Sequence, residues 1–217
     1  MEIKPTVFLV DDDPAVRDAV SLFLELKGRS VELFDSAQAF LDAYDPDRPG
    51  CLVLDIRMPG MSGLELQDLL LEKQLGIPII FISGHGDVPV AVKAFKAGAV
   101  DFLEKPFDNH RLLACIDKAI SNDTERRQRQ RQRSDMLERY QQLTPREQQV
   151  MVLVAEGNTN KDIARRLDIS HRTVEIHRRR VMEKLGANSV SDLVSVSVLC
   201  GVYDLHSAPV TAEMTES

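Results

Sequence analysis

Thr6-Val7-Phe8-Leu9-Val10-Asp11-Asp12 and Cys51-Leu52-Val53-Leu54-Asp55 share one construction, a short apolar run that ends on acid. Runs of this length bounded by polar residues read as strands buried on both faces. In an open parallel α/β sheet the carboxyl ends of the strands converge on one rim. Asp11, Asp12 and Asp55 are therefore expected close together. Three carboxylates repel one another unless a cation sits among them, and Mg2+, which takes hard oxygen ligands and keeps part of its water, suits such a set. A Mg2+-filled acidic pocket with one carboxylate left as nucleophile is the first functional expectation.

The alternation continues outward from these two runs. Residues 7–10, 31–34, 52–54, 79–82 and 101–103 read as strands, and 14–26, 36–43, 64–71, 88–97 and 109–120 as helices between and after them. Gly28, Pro46-Asp47-Arg48-Pro49-Gly50, Pro59-Gly60, Gly76 and Gly98 punctuate the boundaries. Five βα units in this order predict a doubly wound, five-stranded parallel sheet over residues 5–120. Ser83 closes the fourth strand and Lys105 follows the fifth. The hydroxyl can donate to a phosphoryl oxygen and the ammonium can compensate its charge. Each of these residues alone is an ordinary loop residue; on one rim together they fit phosphoryl transfer to a carboxylate.

The 217 residues suffice for two modest domains, and 43% hydrophobic with 28% charged residues is an ordinary globular composition. The longest apolar runs, such as 77–82, are far too short to span a bilayer, and the N-terminus lacks the basic region and cleavage site of a secretory signal. A cytoplasmic protein with no membrane partner is expected. Cys51, Cys115 and Cys200 are odd in number and widely spaced, which argues against a disulfide frame or a zinc site. The net charge of −7 conceals an asymmetry: residues 1–122 hold 12 basic and 20 acidic residues, whereas 126–185 hold 15 basic and 8 acidic. That division points to a nucleic-acid partner for the second half alone.

Residues 121–142, centred on Arg126-Arg127-Gln128-Arg129-Gln130-Arg131-Gln132-Arg133, contain no Gly or Pro and read as a charged, helical linker, too polar for a coiled-coil seam. Residues 143–200 predict a small all-α domain of four helices. Thr144-Pro145-Arg146-Glu147 has the form of a capped helix start, with helices expected from there to about residue 156, at 160–167, at 171–185 before Gly186, and at 190–199. Residues 201–217 lack periodicity and read as a partly disordered tail. Asn160 to Ser170 followed by Arg172-Thr173-Val174-Glu175-Ile176-His177 has the shape of a helix-turn-helix. Ile163, Ala164 and Leu167 share one face, Ile169 fills the turn, and Val174, Val181 and Leu185 face the core. The other side presents Arg172, Glu175, Arg178, Arg179 and Arg180, a candidate for the major groove. His171 and His177 have no metal-ligand company and read as packing or surface residues.

Val10-Asp11-Asp12-Asp13, Leu54-Asp55-Ile56-Arg57-Met58-Pro59-Gly60-Met61-Ser62-Gly63, Ser83-Gly84-His85-Gly86-Asp87 and Glu104-Lys105-Pro106-Phe107 resemble the receiver domain of two-component response regulators. The resemblance implies that Asp55 accepts a phosphoryl group from a histidine kinase. It implies Mg2+ on Asp12, Asp55 and the backbone carbonyl of Arg57, with Asp11 on the ion or its water. It places Ser83 and Lys105 on the phosphoryl group, a cis bond before Pro106, Phe102 as an aromatic switch, and Gly84 as space for the donor. Arg57 and His85 are expected to set how fast water reaches the aspartyl phosphate. Leu143-Thr144-Pro145-Arg146-Glu147, the helix-turn-helix and Glu183-Lys184-Leu185-Gly186-Ala187 are similar to the LuxR-type DNA-binding domain. Together the two halves resemble the NarL/FixJ class, and Gly84-His85-Gly86-Asp87-Val88-Pro89 with Thr173-Val174-Glu175 leans to the FixJ branch. By this resemblance Glu175, Ile176 and Arg179 face base edges, Asn160, Lys161, Arg172 and Arg178 contact phosphates, and Thr173 belongs to the same DNA-binding set.

The expectation is a phosphorylation-controlled transcription regulator. Its partners would be a cognate sensor histidine kinase, promoter DNA and, once phosphorylated, a second copy of itself; RNA polymerase is a further candidate. The receiver contact is placed on residues 88–97 with the fifth strand, Val194 and Val198 add a seam between DNA-binding domains, and kinase choice is placed on the exposed face of 14–26 and near Pro106-Phe107. Two other classes stay open. One is a Mg2+-dependent phosphatase, against which stand the missing substrate cap and the lack of a further acid-base residue. The other is an adaptor whose second domain binds protein.

Overall fold

Strand β1 (Thr6–Val10) shows why the first half forms a layer with two buried faces: Val7 and Leu9 enter one apolar cluster, Phe8 and Val10 the other. The computed structural model describes residues 4–84 and 88–202. His85 and residues 203–217 of the expected tail lie outside the described residues. After β1 come α1 (Pro14–Leu26), β2 (Ser30–Phe34), α2 (Ala37–Ala43), β3 (Gly50–Asp55), α3 (Gly63–Glu72), β4 (Ile79–Ser83), α4 (Val88–Lys96), β5 (Asp101–Glu104) and α5 (Asn109–Gln141). The strands pair in parallel in the order β2-β1-β3-β4-β5, the doubly wound sheet expected. Val20, Leu24, Leu112 and Ile116 of α1 and α5 cover one face. Phe40, Leu66, Leu70 and Ala94 of α2, α3 and α4 cover the other. At the start of β3 a Cβ on Gly50 would lie 1.9 Å from the carbonyl oxygen of Thr6, so only glycine lets β1 and β3 approach there.

The chain divides into two compact units, residues 1–128 and 129–217. Helix α5 runs on through the expected helical linker to Gln141, extending the helix expected over 109–120 as a run without Gly or Pro allows. The stretch read as a linker is divided between the units. In the first, Asp123 is buried and accepts from the Gly50 amide (3.1 Å), Arg126 (2.5 Å) and Arg127 (2.7 Å). Arg127 also donates to the carbonyls of Pro46, Asp47 and Arg48. In the second, Met136 and Tyr140 pack against the core.

That second core is built from α6 (Pro145–Ala155), α7 (Asn160–Leu167), α8 (His171–Leu185) and α9 (Val190–Leu199) around Val150, Met151, Ile163, Val174, Val181 and Leu193. Thr144 with Glu147, and Ser189 with Asp192, form reciprocal capping boxes. Asp168 takes the left-handed conformation (φ 52°) in the turn between α7 and α8, a conformation that Asp tolerates better than most residues. Among the described residues no helix is long and apolar enough to cross a membrane.

Candidate phosphoryl-acceptor pocket and DNA interface

The parallel register delivers the pocket. Asp55 ends β3 opposite Ile82 of β4, and Ser83 lies opposite Glu104 of β5, so the carboxyl ends of the central strands meet at one rim. Asp11 follows β1 directly, and its amide donates to the Phe34 carbonyl at the end of β2. Asp11 is 1% exposed, Asp55 5%, and Ser83 is also buried. Lys105 joins the two acids: its Nζ lies 2.6 Å from Asp11 Oδ2 and 2.7 Å from Asp55 Oδ1. The Lys105 amide donates to the Ser83 carbonyl (2.7 Å), which fixes the lysine beside β4, and the Lys105–Pro106 bond is cis as expected.

Backbone donors complete the two carboxylates. The Arg57 amide donates to Asp55 Oδ2 (2.7 Å) and the Asp13 amide to Asp11 Oδ1 (3.0 Å). Gly63, at the start of α3, makes this packing possible, because a Cβ there would lie 2.3 Å from the Asp55 carbonyl oxygen. Arg17 of α1, which the sequence did not single out, donates to the Asp11 carbonyl (2.6 Å); its position six residues after Asp11 was the only signal.

Burial pushes the Asp55 carboxyl above its ordinary range, against the opposing pull of Lys105. Burial also disfavours the Lys105 ammonium, but its bonds to Asp11 and Asp55 outweigh this and hold it above the usual lysine value. The pocket therefore stores one ammonium between two buried carboxylates. Asp12 is exposed, and among the described residues no three His, Cys, Asp or Glu side chains converge closely enough to hold an ion. Two do converge, Asp11 and Asp55, and they already share a cation. Two carboxylates supplemented by a backbone carbonyl and water suit Mg2+, which retains several waters where it binds. Phe102 is half-buried against the core that α2, α3 and α4 cover. Among the described residues nothing lies within 4 Å of where a Cβ on Gly84 would be, which leaves the approach open on that side.

In the second unit Ser170 caps α8, accepting from the Thr173 amide (3.1 Å), and its hydroxyl lies 2.7 Å from that of Thr173. Thr173 is thus engaged in the cap. Val174, Val181 and Leu185 are buried, while Arg172, Glu175, Ile176 and Arg179 are exposed on α8. Lys161 is exposed on α7. Asn160 and Arg178, both read as phosphate contacts, bond to each other (Nη1 to Oδ1, 2.6 Å) and tie α7 to α8. Glu175 lies 3.5 Å from His171 Nδ1.

Comparison with known proteins agrees with this geometry. Residues 7–117 match the family model described as response regulator receiver domain, and residues 141–197 that of bacterial regulatory proteins, luxR family. The chain is 46% identical to the transcriptional regulatory protein FixJ of Bradyrhizobium diazoefficiens, over 94% of this chain and all of that one. It is 48% identical to the response regulator protein TodT of Pseudomonas putida, over 88% of this chain and 84% of that one. The solved structure of the response regulator StyR, 47% identical, superposes with a TM-score of 0.83 over 90% of this chain and 98% of that one. An acidic rim on a doubly wound sheet, joined in one chain to a LuxR-type helix-turn-helix, places this protein in the NarL/FixJ class of two-component response regulators, on the FixJ branch, as a regulator of transcription.

Proposed function

We propose that Asp55 is the phosphoacceptor of this regulator, and that its phosphorylation controls self-association and DNA binding. The observation that carries the reading is the buried Asp55 carboxylate held with Asp11 on the single Lys105 ammonium. A carboxylate oxygen of Asp55 attacks the phosphorus of a phosphohistidine on a sensor kinase, the P–N bond breaks, a P–O bond forms, and the imidazole leaves with its electron pair. Lys105 is close enough to Asp55 to follow the charge onto the new phosphoryl oxygens, and Ser83 at the neighbouring strand end offers a hydroxyl donor. Asp11 and Asp55 with the Arg57 carbonyl, joined by Asp12 reaching in from its exposed position beside them, would hold Mg2+, which when bound supplies positive charge against the phosphoryl oxygens. The protein would act in the cytoplasm and not as a turnover enzyme, since the only phosphoryl group it handles is its own.

The surface of α4 supports a receiver–receiver contact. Val88, Val92 and Phe95 are exposed at positions four and then three residues apart, so they share one helix face. On α9, Val198 is exposed and Val194 half-buried, which suits a second seam between DNA-binding domains. Two copies would present two α8 helices to two half-sites, with Glu175, Ile176 and Arg179 toward base edges and Lys161, Arg172, Thr173, Asn160 and Arg178 at or behind the phosphate contacts. RNA polymerase would then be recruited or excluded at the promoter. Sedimentation velocity with acetyl phosphate and Mg2+ tests the switch. The native chain should shift from monomer to dimer, and Asp55→Asn and Phe95→Asp should not. Equal dimerisation of Asp55→Asn would contradict it.

A further inference from the structure

Each oxygen of the two buried pocket carboxylates already accepts a bond. Asp11 Oδ1 takes the Asp13 amide and Oδ2 the Lys105 ammonium; Asp55 Oδ1 takes the same ammonium and Oδ2 the Arg57 amide. Asp12, exposed beside them, accepts none of these bonds. The negative charge that an incoming divalent cation gains without displacing a donor therefore comes from Asp12. How well that carboxylate is placed beforehand sets part of the affinity, because a free ligand group loses its conformational freedom on binding.

The backbone on both sides of Asp12 is held. A peptide group is planar, so a bond to its N–H or its carbonyl fixes the whole plane. The Asp12–Asp13 peptide is held by its N–H, which donates to Asp11 Oδ1 (3.0 Å). The Asp11–Asp12 peptide is held by its carbonyl, which accepts from Arg17 Nη1 (2.6 Å). Arg17 lies in the first turns of α1, where side chains lean toward the helix N-terminus, and its own amide donates to the Asp13 carbonyl (3.1 Å). The segment is tied further by the Asp11 amide on the Phe34 carbonyl (3.2 Å) and by Asp13, which caps α1 by accepting from the Ala15 amide (2.9 Å). Of these ties, only the guanidinium comes from a side chain outside residues 11–13, so it can be removed without altering an acid.

We propose that Arg17 is a positioning residue for Mg2+: by pinning the Asp11–Asp12 peptide it holds Asp12 ready to reach the ion. The inference rests on the reading of Asp11, Asp12 and Asp55 as the acids that hold Mg2+. It also fixes the sign of the effect. As a charge the guanidinium repels a divalent cation, and its removal would tighten binding; as a clamp it assists, and its removal weakens binding.

The test is a titration of MgCl2, at constant ionic strength, into the 15N-labelled full chain, followed by the 1H–15N signals of the Asp13 and Arg57 amides. Arg17→Met should raise the dissociation constant about fivefold, the worth of one hydrogen bond of about 1 kcal/mol. Arg17→Lys, which keeps the charge and one donor, should bind more weakly than the native chain and more tightly than Arg17→Met, and it carries the test alone if Arg17→Met does not fold. A purely structural role would lower stability to urea in EDTA and leave the Mg2+ affinity of the folded variant at the native value. Native or tighter Mg2+ affinity in the folded variants would overturn the inference and leave the phosphoacceptor reading standing. Absence of saturable shifts in the native chain would overturn both.

Discussion

Lys105→Met is expected to leave two buried acids without their shared cation. The lysine side chain is 21% exposed, against 1% for that of Asp11 and 7% for that of Asp55. Removing one member of a buried ion pair costs about 3–5 kcal/mol, and the solvent that reaches Lys105 lowers the expectation to about 2–3 kcal/mol at pH 7. The pH dependence has a definite sign. Burial already holds the Asp55 carboxyl above its usual range and Lys105 opposes that rise, so the variant's Asp55 titrates higher still. A carboxyl whose folded value is raised binds its proton more tightly in the native state, so its ionisation costs stability as pH rises from about 4, the unfolded value. The gap between native and variant should therefore be full at pH 7 and shrink as pH falls toward 4. Urea melts in EDTA, followed by far-UV circular dichroism because the chain has no tryptophan, measure it. Equal stability at pH 7, or a gap that does not close on acidification, would refute the reasoning.

Two further predictions concern the second unit. Burial works to raise the Glu147 carboxyl, but its bonds to Lys184 (2.6 Å) and to Thr144 outweigh this and hold it below the ordinary glutamate range. That contribution is present above the unfolded value of about 4.3 and is lost as pH falls through the folded one, so Glu147→Gln should cost about 1–2 kcal/mol at pH 7, discounted for the part-exposed Lys184, and little near pH 3. Arg172→Ala should reduce the slope of log affinity against log salt by about one for any duplex, measured by fluorescence anisotropy, whereas an unchanged slope would remove Arg172 from the phosphate contacts.

Much of this architecture was legible because strong local signals agreed. Pro14 and the cap at Asp13 set the start of α1, and Ser170 and Gly186 bracket α8, so these bounds coincide with the reading residue for residue. Strands ran a residue or two longer than their apolar cores, as Gly50 and Asp55 show for β3, because pairing with neighbours extends a strand past its hydrophobic run. The acids and the lysine could be placed on one rim because strand ends converge, but the ammonium's choice of Asp11 and Asp55, with Asp12 left exposed, depends on side-chain geometry that spacing does not encode. Asp123 lies in the polar run 121–142, where nothing in the sequence sets it apart from its charged neighbours. It is buried where it accepts from the Gly50 amide, 73 residues away in sequence, and from Arg127, which in turn donates to the carbonyls of residues 46–48. Likewise the bond between Asn160 and Arg178 joins two helices whose exposed faces looked independent.

The most direct test of the account is intact mass spectrometry after incubation with acetyl phosphate and Mg2+, with peptide mapping of the native chain beside Asp55→Asn. The account predicts one added phosphoryl group, located at Asp55, missing from the variant and missing when EDTA replaces Mg2+. A phosphoryl group on another residue, or addition that persists in Asp55→Asn, would contradict it.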